Sequence, residues 1–349
     1  MTMPFLTDAL PGIGGQMRTL PEDFQVEERP LYLPCGEGEH LYIKIRKRLL
    51  STPDLVLRLS SVLGVKAQAI GVAGLKDARA VTTQMVSLLG VTSDRLERLK
   101  LDEQLLSVEV LGWHRNRLRP GHHAGNHFRL VIRAVAPHAR ETVSLVTGML
   151  VRRGVPNYFG PQRQGRSGQN YQTGAELLAD PARRNKLSRS KRMWYLNAYQ
   201  SHFFNDMLAR RLDRIDRILD GDWAMKMENG ACFLVEDAAA EQPRADRFEI
   251  SPTGILFGSR VSWASGEQGE IERAVVSESG ATPESLTEAA KACGFRGERR
   301  SLRIPIADLE WSLEGTVLTL SFSLPPGAYA TNVLRELMKT DSQAAENAR

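Results

Sequence analysis

The pattern of apolar and polar residues predicts β-strands in the first third of the chain and another close to its end. Residues 317–324 alternate between apolar and polar side chains, as a half-buried strand does. Shorter runs rich in β-branched and aromatic side chains bounded by turn residues indicate further strands. These runs lie at residues 24–26, 41–46, 81–88, 107–110 and 128–134.

Apolar residues spaced three or four positions apart predict helices between and after these strands. The first helix is expected to begin with Thr52 as its N-cap and Pro53 at its first helical position, with Leu55 and Leu59 on its apolar face. Further helices are predicted at residues 140–153, 194–208 and 333–338.

Two stretches depart from this regular pattern. Residues 156–172 are rich in Gly, Gln and Asn, which predicts a loop. Residues 237–300 show little periodicity, and one short helix is expected there, after Thr282. Because 349 residues exceed what one ordinary hydrophobic core encloses, we expect two domains.

The composition is that of a globular protein, with 42% hydrophobic and 25% charged residues. We expect no signal peptide and no membrane partner, since the most apolar segment, residues 143–151, is too short to span a bilayer. The three cysteines, at positions 35, 232 and 293, show no metal-ligand spacing. Unpaired cysteines indicate a reducing compartment, so a cytoplasmic location is expected.

Positive charge is concentrated in one third of the chain. Residues 110–205 contain 16 Lys or Arg and three acids, a net charge of +13, whereas the whole chain carries only +5. Such an asymmetry is typical of a protein that binds a polyanion such as nucleic acid.

Within this basic block, Arg115, Arg117 and Arg119 are spaced by two residues. On an extended segment that spacing would align all three against phosphates, although a solvated basic face is the alternative. His123 and His127 could share one face of a helix and bind a metal ion. The glycines around them and the strand predicted next to them argue against that helix, so we expect no metal.

Asp77 is the strongest candidate for a catalytic group. It lies between Lys76 and Arg79, after a turn of small residues and before the strand predicted at residues 81–88. Positive charge on both sides favours the ionised carboxylate, which can act as a nucleophile or bind a cationic group. Without further information, an ordinary surface ion pair would explain the same residues.

Six segments resemble, in order along the chain, the motifs of the tRNA pseudouridine synthase D family. The segment around Asp77 has the form Gly-x-Lys-Asp-x-x-Ala-x-Thr-x-Gln, and the set extends from residue 18 to residue 336. Chance is a poor explanation for six ordered matches. The segments are 18–28, 36–41, 74–84, 125–133, 154–163 and 324–336.

The resemblance implies an α+β fold. A catalytic pseudouridine synthase domain, with a mixed and largely antiparallel sheet, would comprise residues 1–154 and 306–349. A family-specific α/β insert would comprise residues 155–305, and the RNA would lie between the two domains.

The resemblance also implies an activity, the isomerisation of uridine 13 of tRNA to pseudouridine, with no metal and no small-molecule cofactor. We expect a monomer whose partner is tRNA. A different or broader RNA target is one alternative, and a catalytically silent RNA-binding protein is another. The presence of the Asp77 carboxylate argues against the second.

The match to the family motifs implies catalytic and RNA-binding roles for individual residues. Asp77 matches the nucleophile, and either Arg18 or Lys76 would be its ion-pair partner. The pocket for the extruded base would be formed by Phe24, Asn126, Phe128 and Tyr329. Other classes of pseudouridine synthase have Tyr at the position of Phe128, so no hydroxyl is available there for proton transfer. At the position of Tyr329 the family more often has Phe, and the extra hydroxyl is unexplained. Contacts to the RNA backbone are expected from Arg115, Arg117, Arg119, Arg163 and Arg166.

Overall fold

The computed structural model describes residues 3–165 and 167–340 of the chain. Its strands are β1 (Gln16–Met17), β2 (Phe24–Pro30), β3 (His40–Arg48), β4 (Ile70–Val72), β5 (Val81–Leu89), β6 (Leu105–His114), β7 (His123–Arg133), β8 (Val155–Pro156), β9 (Trp223–Lys226), β10 (Cys232–Leu234), β11 (Ile250–Leu256), β12 (Glu298–Ser301), β13 (Arg303–Ile304), β14 (Ala307–Glu314) and β15 (Val317–Leu324). Its α-helices are α1 (Thr52–Leu63), α2 (Ser93–Leu96), α3 (Ala139–Arg153), α4 (Asn170–Ala179), α5 (Pro181–Asn185), α6 (Arg189–Arg211), α7 (Ala238–Asp246), α8 (Gly266–Glu278), α9 (Pro283–Ala292) and α10 (Ala330–Met338).

Internal contacts divide the chain into two compact units. The first, here called the sheet unit, comprises Ile13–Glu141 and Ile306–Ala328. The second, here called the helix-rich unit, comprises Met1–Gly12, Thr142–Pro305 and Tyr329–Arg349. The chain therefore passes from the sheet unit to the helix-rich unit between residues 141 and 142, whereas the sequence predicts a domain boundary between residues 154 and 155. The predicted domain limits stay a prediction.

The sheet unit is built on a nine-stranded sheet with the order β14-β15-β7-β2-β5-β3-β6, to which β1 adds at β7 and β4 at β5. Every pairing is antiparallel except β2 with β5, which is parallel. The α+β class predicted from the sequence is confirmed. The strand predicted at residues 317–324 is β15, which pairs with β7 from Leu318 to Leu324.

Helix α1 covers one face of this sheet. Leu55, Leu59 and Leu63 are fully buried on its inner side and pack against strands β3 and β5. A glycine in the left-handed conformation, Gly64, ends the helix. The packing fixes the start of α1 close to the segment that precedes β5, where Asp77 lies.

The N-cap predicted for α1 was wrong by one residue. Ser51 is the cap, and its hydroxyl accepts a hydrogen bond from the Asp54 amide at 3.2 Å. Thr52 is the first helical residue and is buried. Both hydroxyl residues satisfy the sequence rule for a cap, and tertiary contacts of Thr52 decide between them.

Residues 237–300 are more regular than the sequence predicts, because they contain β11, β12 and the helices α7, α8 and α9. Strand β11 is buried at every position, so apolar and polar residues do not alternate along it. Helix α8 buries the polar side chains of Gln268 and Glu272, which weakens its apolar periodicity. The loop predicted at 156–172 ends earlier, at the start of α4.

The helix-rich unit has its own hydrophobic core. Helix α6 contributes Tyr199, Phe203 and Met207, which pack against β11 and the helices α4, α8 and α9. A four-stranded sheet with the order β10-β9-β11-β12 completes this unit.

Candidate active site

The loop between β4 and β5 carries Asp77. One carboxylate oxygen, Oδ2, lies 2.7 Å from Arg18 Nη2, and the other, Oδ1, accepts a hydrogen bond of 2.9 Å from the Arg79 amide. The Asp77 side chain is 36% exposed and that of Arg18 is 22% exposed. The carboxylate is thus fixed at both oxygens and still accessible to a substrate.

Arg18 has an unusual backbone conformation. Its φ angle is 59°, in the left-handed region, which costs a residue with a Cβ atom about 1–2 kcal/mol. Its guanidinium lies 4.1 Å from the centre of the Phe24 ring, in cation–π contact, while it binds Asp77. Strain of this kind at a charged residue is a reason to suspect a functional role.

Lys76, the other candidate partner of Asp77, binds a different carboxylate. Its Nζ atom lies 2.6 Å from Glu28 Oε2, and both side chains are buried. The second oxygen of Glu28 accepts a hydrogen bond of 3.2 Å from the Met85 amide. Lys76 therefore attaches the Asp77 loop to strand β2, and Arg18 is the cation that contacts Asp77.

Thr52 holds the same loop from the side of helix α1. Its hydroxyl accepts a hydrogen bond from the Lys76 amide and donates one to Gln84 Oε1, both at 2.9 Å. All of these groups are buried. Gly74 leaves room for the anchor, because a Cβ atom there would come within 3.1 Å of Lys76 Nζ.

A second buried lysine lies behind this loop. Lys47 on β3 is fully buried, and its ammonium donates to the Leu50 carbonyl. Burial lowers the pKa of Lys47 to about 8, an effect that the negative charge of Asp77 opposes.

The sequence indicates a role at this loop for none of its four supporting residues, Glu28, Thr52, Gln84 and Lys47; Thr52 is predicted only as a helix cap. For Glu28 and Lys47 a local signal was available, because these charged residues sit at inward-facing positions of strands β2 and β3. An ionisable residue on a core face requires a partner, but alternation alone does not say which partner it has.

Three phenylalanines form an aromatic cluster beside Arg18. The rings of Phe24 and Phe128 meet edge to face at 6.4 Å, and Phe128 stacks on Phe322 at 5.5 Å. Phe24 and Phe128 are 5% and 6% exposed. Since Arg18 lies over Phe24, this ring supports the guanidinium, and little of its surface is open for stacking a base.

Asn126 precedes Phe128 by two residues on β7 and is paired with Glu28 across the strands. Its Oδ1 atom is buried without a hydrogen-bond partner among the described residues, and so is Arg18 Nε. Buried polar atoms in proteins nearly always have partners, so these two atoms are candidates for hydrogen bonds to a ligand.

The three arginines at 115, 117 and 119 follow the end of β6, where the chain bends at residues 115 and 116. They do not share one regular strand. Arg115 pairs with Glu37, Arg117 donates to the Ile70 carbonyl at 2.6 Å, and Arg119 is exposed. Their alignment against phosphates stays a prediction.

The remaining predicted residues do not belong to the sheet unit. Arg163 and Tyr329 lie in the helix-rich unit, with Tyr329 at the N-cap position of α10. Arg166 lies outside the described residues. The structure thus brings Asp77, Arg18, Phe24, Phe128 and Asn126 into one unit.

Across residues 3–165 and 167–340, no group of three or more His, Cys, Asp or Glu side chains could hold a metal ion. His123 and His127 both lie on strand β7, not on a helix. None of the helices in the described part of the chain is long and apolar enough to cross a membrane.

Comparison with known proteins shows the family to which the chain belongs. The sequence profile of the family described as tRNA pseudouridine synthase D (TruD) matches residues 1–185 and 184–337. The tRNA pseudouridine synthase D of Syntrophotalea carbinolica is 41% identical, with 97% of this chain and 99% of the relative covered. A tRNA pseudouridine synthase D of Thermus thermophilus is 43% identical, with 97% of this chain and 93% of the relative covered.

A solved structure gives the same result. A Methanosarcina mazei protein, whose crystal structure is described as that of a putative tRNA pseudouridine synthase D, aligns with a TM-score of 0.80 and 26% identity over 97% of both chains. The fold and these matches define an isomerase of the pseudouridine synthase class. The chain belongs to the tRNA pseudouridine synthase D (TruD) family, which confirms the resemblance predicted from the six motifs.

Proposed function

We propose that this protein isomerises uridine 13 of tRNA to pseudouridine in the cytoplasm, with Asp77 as the nucleophile. The observation that carries the proposal is the pairing of an accessible Asp77 carboxylate with Arg18 at 2.7 Å. The names of the relatives support tRNA as the substrate.

The reaction breaks the bond between N1 of uracil and C1′ of the ribose, turns the base, and forms a bond between C5 and C1′. The proton on C5 is lost and N1 gains one, so the product is an isomer of the substrate. Asp77 either attacks C1′ or assists elimination from the sugar, and both routes need its ionised carboxylate. Arg18 stabilises that carboxylate and fixes its position.

The target base must leave its stack in the RNA, at a cost of a few kcal/mol. We propose that the amide of Asn126 binds the edge of the extruded uracil, because its Oδ1 atom is buried without a partner among the described residues. Phe128 would pack against the base, and the role expected for Tyr329 stays a prediction. Phe24 contributes mainly by supporting Arg18.

The test is the Asp77→Asn variant, which keeps the shape of the side chain and removes its charge. Pseudouridine formation should be abolished while tRNA binding stays near that of the wild type. Asp102→Asn is the matched control, since Asp102 is also paired with an arginine, Arg58 at 2.8 Å, but outside this site. It should keep full activity.

Pseudouridine is mapped across total tRNA incubated with each protein. Turnover by Asp77→Asn, in a preparation free of the wild-type enzyme, would remove Asp77 from the role. Pseudouridine at a position other than 13 would establish a different target. Binding of tRNA by the wild type without any pseudouridine would indicate a catalytically silent RNA-binding protein.

A further inference from the structure

The helix-rich unit contains two arginines directed at one aromatic ring. Phe159 lies between β8 and α4, and its ring centre is 4.1 Å from Arg300 Cζ and 5.4 Å from Arg163 Cζ. Arg300 comes from strand β12 and Arg163 from a short 3-10 helix at Pro161–Gln164. Segments far apart in sequence thus place two cations together.

The scaffold under these arginines is fixed. The Phe159 amide donates to Asn205 Oδ1 at 2.8 Å, and its carbonyl accepts from Asn205 Nδ2 at 3.0 Å. Arg300 Nη2 donates to Asn157 Oδ1 at 2.5 Å, and its Nε donates to the Asn157 carbonyl at 3.3 Å. Arg300 Nη1 has no such bond in the described part of the chain, so one edge of its fork is available.

Within the described ranges, neither guanidinium lies within ion-pair distance of a carboxylate. Among the described residues, no carboxylate forms an ion pair with Arg163 or Arg300. Other arginines of this unit are paired: Arg299, next to Arg300, binds Glu272 at 2.6 Å, and Arg211 binds Asp222 at 2.9 Å. Burial lowers the pKa of Arg300 to about 10; Tyr329 and Glu298 oppose this shift, and the charge of Arg163 acts in its direction.

The two guanidinium groups contact the same ring and repel each other, and an anion that contacts both would remove that cost. Guanidinium forks match the geometry of phosphate oxygens, and stacking on an aromatic ring orients them. A phosphate group is therefore the ligand that fits.

We propose that Arg300 and Arg163 form a clamp over Phe159 that binds one backbone phosphodiester of the RNA substrate. This inference rests on the proposed function, because it takes RNA as the ligand. It adds Arg300 to the RNA-binding residues expected from the sequence.

The experiment measures tRNA binding by wild type, Arg300→Gln and Arg163→Gln over a range of salt concentrations. Each variant should weaken binding about tenfold at physiological salt and lower the slope of log K against log salt by about 0.7–0.9, the value for one phosphate contact. Arg300→Lys keeps the charge and should keep most of the slope.

Arg247→Gln is the matched control. Arg247 belongs to the same unit, is exposed, and pairs with Glu249 at 2.7 Å, so its charge is already balanced. For Arg247→Gln, the slope of log K against log salt should equal that of the wild type. Thermal unfolding checks that each variant is folded, and Arg163→Gln tests the clamp independently if Arg300→Gln proves unstable.

The outcomes separate this inference from the proposed function. If wild type fails to bind tRNA, the proposed function fails. If wild type binds and both Gln variants keep its slope, only the clamp is overturned. A further outcome is that inorganic phosphate stabilises the wild type but not Arg300→Gln, while the salt dependence of tRNA binding is the same for both proteins. That result would assign the clamp to free phosphate and also overturn the inference.

Discussion

At the scale of single residues, buried charge is concentrated behind the loop that carries Asp77. Lys76 and Glu28 form a buried ion pair, and the buried Lys47 ammonium has only the Leu50 carbonyl as a hydrogen-bond partner among the described residues. Breaking such a pair from one side leaves an uncompensated charge, which is strongly destabilising. These residues make the position of Asp77 depend on electrostatics inside the protein as well as on Arg18.

Lys47 gives a prediction on pH dependence. Its pKa falls from the usual value of 10.5 to about 8 in the folded state, so the folded state binds this proton less strongly than the unfolded chain. Its contribution to the free energy of unfolding therefore rises with pH from about 8 to 10.5, by at most about 3 kcal/mol. Lys47→Met removes that rise.

The measurement is urea denaturation of wild type and Lys47→Met between pH 7 and pH 10. The free energy of unfolding of the variant, minus that of the wild type, should become smaller as pH increases. Lys44→Met serves as the control, since Lys44 lies on the same strand with its side chain 38% exposed and its ammonium paired with Glu27 at 2.6 Å. If the free energy of unfolding changed with pH in the same way for wild type and Lys47→Met, the prediction would be contradicted.

At the scale of elements, two anchors hold the loop that carries Asp77. Strand β2 provides Glu28, and helix α1 provides Thr52. The same helix begins with two hydroxyl residues that have different tasks: Ser51 caps the helix, and Thr52 binds the loop. Replacing each separately distinguishes helix stability from loop position.

Ser51→Ala should lower the free energy of unfolding by about 1 kcal/mol and leave the single-turnover rate unchanged. Thr52→Val leaves the Lys76 amide and Gln84 unpaired, each at a cost of about 1–3 kcal/mol. Because a small misplacement of a catalytic group slows chemistry, its single-turnover rate should fall by about 10–100-fold.

The rates are compared at saturating tRNA and at a temperature where both variants are folded. Thr52→Ser restores the hydroxyl and should recover most of the rate. Equal rates for Thr52→Val and wild type would show that the loop keeps its position without this hydrogen bond.

At the scale of the whole molecule, the basic block at residues 110–205 includes residues of both units. Its charges are not equally available. Arg115 is balanced by Glu37, and Arg117 is engaged with a carbonyl oxygen, whereas Arg119 is exposed. A count of basic residues in the sequence therefore overstates the charge available to the proposed RNA substrate.

Replacing Arg115, Arg117 and Arg119 together by Gln should weaken tRNA binding and reduce its salt dependence by up to three phosphate contacts. Arg119→Gln alone should reduce the salt dependence by about one phosphate contact. Arg115→Gln should change it little, since Glu37 already neutralises Arg115. Binding is titrated at several salt concentrations. An unchanged slope in the triple variant would mean that these arginines form only a solvated face.

Local sequence determined much of this protein. The alternation at residues 317–324 defined β15, and the apolar spacing after Pro53 defined α1, because side-chain period follows directly from backbone geometry. The motif around Asp77, with five others in order along the chain, was sufficient to name the family. Each of these signals lies within about a dozen consecutive residues.

Tertiary structure alone decided which groups meet. Arg18 and Asp77 are far apart in the chain, as are Thr52 and Lys76, and Arg300 and Phe159. Lys76 adjoins Asp77 in the sequence, yet it binds Glu28 because strand β2 places a buried carboxylate beside it. Burying a charge is tolerated only with a partner, and strand pairing, which no local pattern encodes, supplies that partner.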